Sequence, residues 1–192
     1  MRVIAGIAKG RTLVAPQGRR VRPTTDRTKE ALFSILQPEL RSASVVDLYA
    51  GSGALGIEAL SRGAARATFV ERHGRAIEAL ERNLEVTGLG DRATVVRASV
   101  VPSLSQPLAG APFDIAVLDP PYDIDADELA EVLAALVAQL APGAHVTVEL
   151  SHHGDAPRWP AGIEPGRDRR YGDTRLHEGH VAHDRSPGEP PT

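Results

Sequence analysis

An apolar run broken by two prolines constrains this chain more than any other stretch. Ile115-Ala116-Val117-Leu118 has the composition of a buried strand, and Asp119-Pro120-Pro121-Tyr122 follows it directly. Proline has no N–H to give to a central ladder, so the strand must stop there. Asp119 is then presented at the carboxyl end of a strand, where open α/β sheets hold their ligands. The prolines set a stiff corner with outward carbonyls, and Tyr122 adds a flat aromatic face. Such a corner suits a planar, amine-bearing ligand, with acceptors for two N–H groups and a surface for stacking. The same residues also describe a plain strand-ending turn with a surface acid, so the wider pattern has to decide.

Upstream, Val45-Val46-Asp47-Leu48-Tyr49-Ala50 reads as a strand, and Gly51-Ser52-Gly53-Ala54-Leu55-Gly56 as a glycine-rich turn opening a helix. Glycines allow close approach of a ligand to the backbone, and the helix amino terminus offers free N–H groups. The turn satisfies the dinucleotide fingerprint literally, and Glu71 falls about twenty residues on, where that fingerprint places a ribose-binding acid. An NAD-dependent oxidoreductase is therefore a competitor. Asp47 argues against it: a carboxylate just before the glycines repels a pyrophosphate, whereas it suits a ligand with a cationic amine, as S-adenosylmethionine has. Glu71, ending the strand Ala67-Thr68-Phe69-Val70, can accept from both ribose hydroxyls of either cofactor.

Taken together, these residues resemble the bacterial ribosomal RNA small-subunit methyltransferase D family. The resemblance runs from Arg2-Val3-Ile4-Ala5-Gly6 to about Arg175. Its most specific stretch is Arg22-Pro23-Thr24-Thr25-Asp26-Arg27 with Glu30 and Phe33. The glycine turn, Glu58-Ala59-Leu60-Ser61-Arg62 and Asp119-Pro120-Pro121-Tyr122 add to it. The resemblance implies a Rossmann-like, S-adenosylmethionine-dependent methyltransferase fold, with a mostly parallel seven-stranded sheet and an N-terminal β-hairpin. It further implies methylation of the exocyclic amine of one guanine in 16S rRNA, on the RNA itself or on a small-subunit assembly particle. Asp119, Pro120, Pro121 and Tyr122 are then the expected catalytic residues. Asp47, Tyr49, Gly51, Ser52, Gly53, Glu71, Arg72 and Asp119 are the expected cofactor contacts. Members of the wider superfamily often hold the adenine amine with an acid after the third strand. Val95-Val96-Arg97-Ala98-Ser99 has none, so Ser99 or the Ala98 backbone takes that place.

Charge distribution agrees with a nucleic-acid partner although the net charge is −3. Between Met1 and Arg41 nine basic residues face only Asp26, Glu30 and Glu39, a surplus of six that leaves −9 for the remainder. A cationic arm on an acidic body can hold phosphates without a generally basic protein. Lys9, Arg11, Arg19, Arg20, Arg22 and Arg27 are the expected RNA contacts. With 192 residues the chain suits one α/β core, preceded by a basic arm over 1–24 and followed by a disordered tail over 185–192. No cysteine is present, which excludes disulfides, thiol catalysis and cysteine-ligated metals. The seven histidines, including adjacent His152 and His153, read as surface residues, so no metal is expected. No membrane span or signal peptide is recognisable; a cytoplasmic monomer is the expectation.

Patterning predicts a loose hairpin over Arg2–Val14, a loop over Pro16–Thr25, and a helix capped by Thr25 or Asp26 running to Leu36. Strands are expected at Val45–Tyr49, Thr68–Glu71, Thr94–Arg97, Ile115–Leu118, His145–Leu150 and Thr174–Val181, the last antiparallel. Helices are expected at Leu55–Arg62, Gly74–Thr87, Val100–Leu104 and Ala126–Leu140. Asn83, inside the second of these, reads as structural. Two other functions remain open from the residues alone: N6-adenine methylation of DNA or RNA, and RNA binding without catalysis.

Overall fold

Strands and helices alternate along the chain, and each strand is apolar where a helix covers it. The computed structural model describes residues 1–16 and 26–182. The elements are α1 (Asp26–Leu36), β1 (Ser44–Leu48), α2 (Ala54–Ser61), β2 (Arg66–Glu71), α3 (Gly74–Thr87), β3 (Ala93–Arg97) and α4 (Val100–Ser103). They continue through β4 (Phe113–Leu118), α5 (Ala126–Leu136), β5 (Leu140–Ser151), β6 (Ile163–Tyr171) and β7 (Thr174–Val181). One seven-stranded sheet has the order β3-β2-β1-β4-β5-β7-β6. The first four pairings are parallel, and β7 runs antiparallel to both β5 and β6. This is the Rossmann-like methyltransferase arrangement, with a mixed edge at β7 and β6.

Side-chain alternation along the strands builds two cores. Val45, Phe69, Ile115 and Val117 face α1, α2 and α3; Val46, Val70, Ala116, Leu118, Val146 and Val148 face α4 and α5. Strand order reverses between β1 and β4, where adjacent helices leave for opposite faces. The crevice at their carboxyl ends is the natural ligand site of such a sheet.

The N-terminal segment forms a short, loose hairpin: Arg2 and Thr12 make an antiparallel bridge, and the Val3 N–H donates to the Arg11 carbonyl at 3.0 Å and the Leu13 N–H to the Met1 carbonyl at 2.9 Å. Two expectations need correction. Helix α5 stops at Leu136, gives way to a 3-10 turn over Val137–Gln139, and β5 starts at Leu140, ahead of its expected start. Strand β6 was missed altogether. It is mostly exposed, carries Pro165 and many charges, and has a register shift between Pro165 and Asp168. An edge strand needs no apolar alternation and tolerates proline, so sequence pattern cannot find it.

The first sixteen residues are not a detached arm. Val3, Ala8 and Leu13 are buried in the same core as α1 and α2. Over its described residues, the segment expected as a basic arm is therefore part of the folded core. Arg19, Arg20, Arg22, the Thr25 cap and the tail over 185–192 lie outside the described residues.

Candidate cofactor and substrate site

The expected acids converge at the switch point. In the β1–β4 ladder Asp47 faces Val117 and Leu48 faces Leu118, so Asp47 and Asp119 flank the ends of neighbouring strands. The Asp119 N–H points to the Leu48 carbonyl at 3.5 Å. Asp47 is buried, and its Oδ2 accepts the Gly56 N–H of α2 at 2.8 Å. Burial, opposed by that bond and reinforced by Asp119 and Glu71, raises its pKa to about 8. In the free protein Asp47 is therefore largely protonated at neutral pH, and a cationic partner draws that proton off.

The glycine turn divides into two kinds of glycine. Gly53 has φ +79 and an added Cβ would lie 2.2 Å from Leu80; at Gly56 it would lie 2.3 Å from the Phe69 ring. Their absence of side chains serves packing between α2, α3 and β2. Gly51 is different: a Cβ there meets nothing nearer than the Tyr49 carbonyl at 3.9 Å, which leaves its backbone open to a ligand. Ser52 is buried, and its carbonyl accepts from Asn83. Tyr49 holds φ +62, a left-handed conformation rare for an aromatic residue. It packs against the second core, and its buried hydroxyl has no hydrogen-bond partner. Burial pushes that phenol up to about 12.

Glu71 ends β2 with a carboxylate held by three backbone donors: Gly51 N–H at 2.9 Å, and Arg72 and His73 N–H at 2.8 Å each. It thus fastens the glycine turn to the end of the second strand. A carboxylate offers about four acceptor positions, so at least one remains for a hydroxyl. Arg72 is exposed beside it. Ala98 N–H is engaged by the Glu71 carbonyl at 3.1 Å, and Ser99 stands half-buried ahead of α4 without a side-chain cap bond. Ser99 and the Ala98 backbone therefore do lie beside Glu71 at the strand ends.

The proline corner is held at both ends. Asp119 is half-buried, Pro120 buried, and Tyr122 exposed at 54%. Beyond the corner, Asp125 caps α5 by accepting the Asp127 N–H at 2.7 Å and the Glu128 N–H at 3.3 Å. The Pro121 carbonyl accepts the Ile124 N–H at 3.0 Å, so this carbonyl closes the turn instead of pointing outward. The outward role expected of both carbonyls therefore does not hold for Pro121.

The sequence reading missed the residues that brace this site from behind. Glu58, fully buried on α2, accepts the Ile4 and Ala5 N–H groups and pairs with Arg62 at 2.8 Å and buried Lys29 at 3.4 Å. Burial lowers the Lys29 pKa, against the pull of Glu58. Ser61 receives the Ala8 N–H and donates to the Ala5 carbonyl. Helix α2, whose first turn faces the crevice, is thus clamped at its far end by the N-terminal segment. Two residues of the Glu58-to-Arg62 motif carry this role, but only contacts more than fifty positions apart reveal it.

Of the basic residues, Lys9, Arg11 and Arg27 are exposed. The histidines are not all at the surface, as expected from sequence: His145 and His177 are buried. Among the described residues no helix is long and apolar enough to cross a membrane.

Comparison with known proteins agrees with the geometry. The family described as Conserved hypothetical protein 95 matches residues 1–179. The ribosomal RNA small subunit methyltransferase D of Haemophilus influenzae is 38% identical over 150 residues, 78% of each chain. A solved structure from Escherichia coli, described as a methyltransferase, superposes with a TM-score of 0.82 at 32% identity, covering 96% of this chain and 99% of that one. An RNA methyltransferase from Salinibacter ruber in complex with S-adenosyl-L-homocysteine shares the fold at TM-score 0.66 and 15% identity, over 86% of this chain and 97% of its own. The chain belongs to the ribosomal RNA small subunit methyltransferase D family.

Proposed function

We propose that the protein transfers a methyl group from S-adenosylmethionine to the exocyclic N2 amine of a guanine in 16S rRNA, of the guanine-966 type. The observation that carries this reading is the pair of acids at the β1–β4 switch. Asp47 lies beneath the glycine turn and Asp119 opens the proline corner.

The residues fit the cofactor. Asp47, a buried acid raised to about 8, is matched to the cationic amine of the methionine moiety. Glu71 has an acceptor position left for the ribose, and the Gly51 backbone is open to close approach. Ser99, with the Ala98 backbone, serves the adenine in place of the missing acid. When bound, the cofactor supplies a methyl group already activated by its sulfonium charge, so no acid catalyst is needed.

The chain's own work is done on the guanine. An exocyclic amine is a poor nucleophile because its lone pair is delocalised into the ring. Asp119 and the Pro120 carbonyl accept its two N–H bonds, draw the nitrogen toward tetrahedral geometry and free that lone pair. Tyr122, more than half exposed, offers a stacking face to a base turned out of its helix or loop. Holding nitrogen and methyl group in line supplies much of the rate by proximity. Asp119 need not be a strong base, since the amine becomes acidic once methylated. Lys9, Arg11 and Arg27, with Arg19, Arg20 and Arg22, contact phosphates and set the register of the RNA.

The test is incubation of the protein with labelled S-adenosylmethionine and unmodified small-subunit RNA or assembly particles, followed by nucleoside mass spectrometry. N2-methylguanosine is the expected product. N6-methyladenosine would move the assignment to the adenine enzymes, and no incorporation on any of these substrates would remove it.

A further inference from the structure

The sheet carries a second polar cluster at its opposite end. On the face that meets α1, apolar alternation fails at β5 and β7. His145, Thr147, Glu149 and Glu178 are all buried there. His145 and His180 are register partners on the two strands, and their rings meet edge to face with centroids 4.3 Å apart. One ligand atom from each of His145, Glu178 and His180 lies within 4.8 Å of the other two. His145 is 2% exposed, yet neither of its ring nitrogens has a hydrogen-bond partner. A buried imidazole with both nitrogens unpaired is costly unless something else binds it.

The surroundings define what that is. Glu39, in the turn after α1, places Oε2 3.3 Å from His145 Nδ1, short of hydrogen-bond geometry. Glu178 Oε2 lies 3.9 Å from His145 Nε2, while Arg169 engages the other oxygen, Oε1, at 2.9 Å. One carboxylate oxygen therefore still faces the histidines. A cavity of about 540 Å³, lined by residues including Glu39, Asp114, Gly143 and His180, opens beside the cluster. Burial and the neighbouring His180 hold His145 below the ordinary imidazole pKa, which keeps a lone pair available.

We propose that His145, His180 and Glu178 bind a divalent transition-metal ion of the zinc type. Two imidazoles and one carboxylate match the ligand preference of zinc, and three protein ligands leave a fourth position open. Tetrahedral bonds of about 2.0–2.2 Å put donors roughly 3.4 Å apart, so the cluster needs to close by up to about 1.4 Å. Half-buried His180 supplies that movement. Glu39 accepts from Nδ1–H and thereby turns the Nε2 lone pair toward the ion, as carboxylates behind metal-bound histidines do. Magnesium and calcium, which favour all-oxygen shells, do not fit. The ion ties β5 and β7 to the turn after α1, away from the crevice, so its effect is on stability and not on methyl transfer.

Calorimetric titration of the metal-stripped full-length protein with zinc chloride tests this, together with melting temperature. The expected result is one equivalent bound in the micromolar range or tighter, with a rise in melting temperature that magnesium chloride does not give. His180→Gln should weaken binding by at least tenfold and Glu39→Gln by about 10–100-fold. Changing His152 and His153 together to Gln should leave it unaltered. Absence of stoichiometric binding overturns the proposal, as does equal affinity in His180→Gln or loss of binding in the His152/His153 variant. Should His180→Gln fail to fold, the partly exposed Glu39 position decides by the same criterion.

Discussion

Asn83 holds Val14 by both of its backbone groups. The Oδ1 atom accepts from Val14 N–H at 2.7 Å, and Nδ2 donates to the Val14 carbonyl at 3.0 Å. The same Nδ2 reaches the Ser52 carbonyl of the glycine turn at 2.9 Å. A fully buried amide on α3 thus links the N-terminal segment to the candidate cofactor loop. Asn83→Ala leaves these groups without their partner, at about 1–3 kcal/mol for each one that stays buried and unpaired. Melting temperature and S-adenosylmethionine affinity are expected to fall together, as thermal denaturation and calorimetry can read. An unchanged melting temperature would show that the link does not hold the loop.

Because residues 1–16 share the core, their role in RNA binding is tested by charge and not by deletion. Lys9 and Arg11 are exposed on this segment, and neither has a side-chain bond among the described residues. Lys9→Gln and Arg11→Gln should each reduce the log–log salt dependence of rRNA binding by roughly 0.7–0.9. Cofactor affinity should stay as it is. Loss of cofactor binding in these variants would mean that the segment acts through packing alone.

Asp47 gives a pH signature. Its folded-state pKa of about 8 lies above the ordinary 3.8, so the proton it retains favours the folded state. Stability from this group is fully present below the ordinary value and is lost as pH rises toward 8, by up to about 1.4 kcal/mol per unit. Asp47→Asn keeps an oxygen for the Gly56 N–H and should flatten that decline in urea melts. Binding of the cationic methionine moiety should release close to one proton at pH 7, visible by calorimetry in buffers of different ionisation enthalpy. The Asn variant should release none and bind more weakly by about 1.5–3 kcal/mol. Wild-type binding with no proton release would separate Asp47 from the amine.

The chemical step is separable from binding at the proline corner. Asp119→Ala should leave S-adenosylmethionine affinity nearly intact and lower turnover by about two orders of magnitude or more. Asp119→Asn retains an accepting oxygen and should keep partial activity. Single-turnover kinetics beside equilibrium binding distinguish the two effects. Wild-type turnover in the Ala variant would reduce Asp119 to a strand-end acid.

Much of this site was legible because local pattern sets it. The prolines after Leu118 fix where β4 ends, and the glycines after β1 mark the turn, so Asp47, Glu71 and Asp119 fall at neighbouring strand ends by periodicity alone. Helix α3 and strand β7 have the boundaries that spacing predicts. What escaped depends on long-range registration. Glu58 meets Ile4 across 54 residues and Asn83 meets Val14 across 69, and no local signal announces either pairing. His145 and His180 become neighbours only through the antiparallel β5–β7 register. The requirement for glycine at Gly56 likewise has its cause in the Phe69 ring, whereas at Gly53 the left-handed turn and Leu80 both demand it.

The central claim is that a site built on Asp119 methylates guanine N2 in 16S rRNA. Mapping N2-methylguanosine in 16S rRNA from cells lacking the gene, complemented with the wild-type protein or with Asp119→Ala, tests it most directly. One guanine is expected to carry the methyl group with the wild-type protein and to lack it in the deletion and with the variant. Retention of every N2-methylguanosine of 16S rRNA in the deletion strain, or full restoration by Asp119→Ala, would contradict the account.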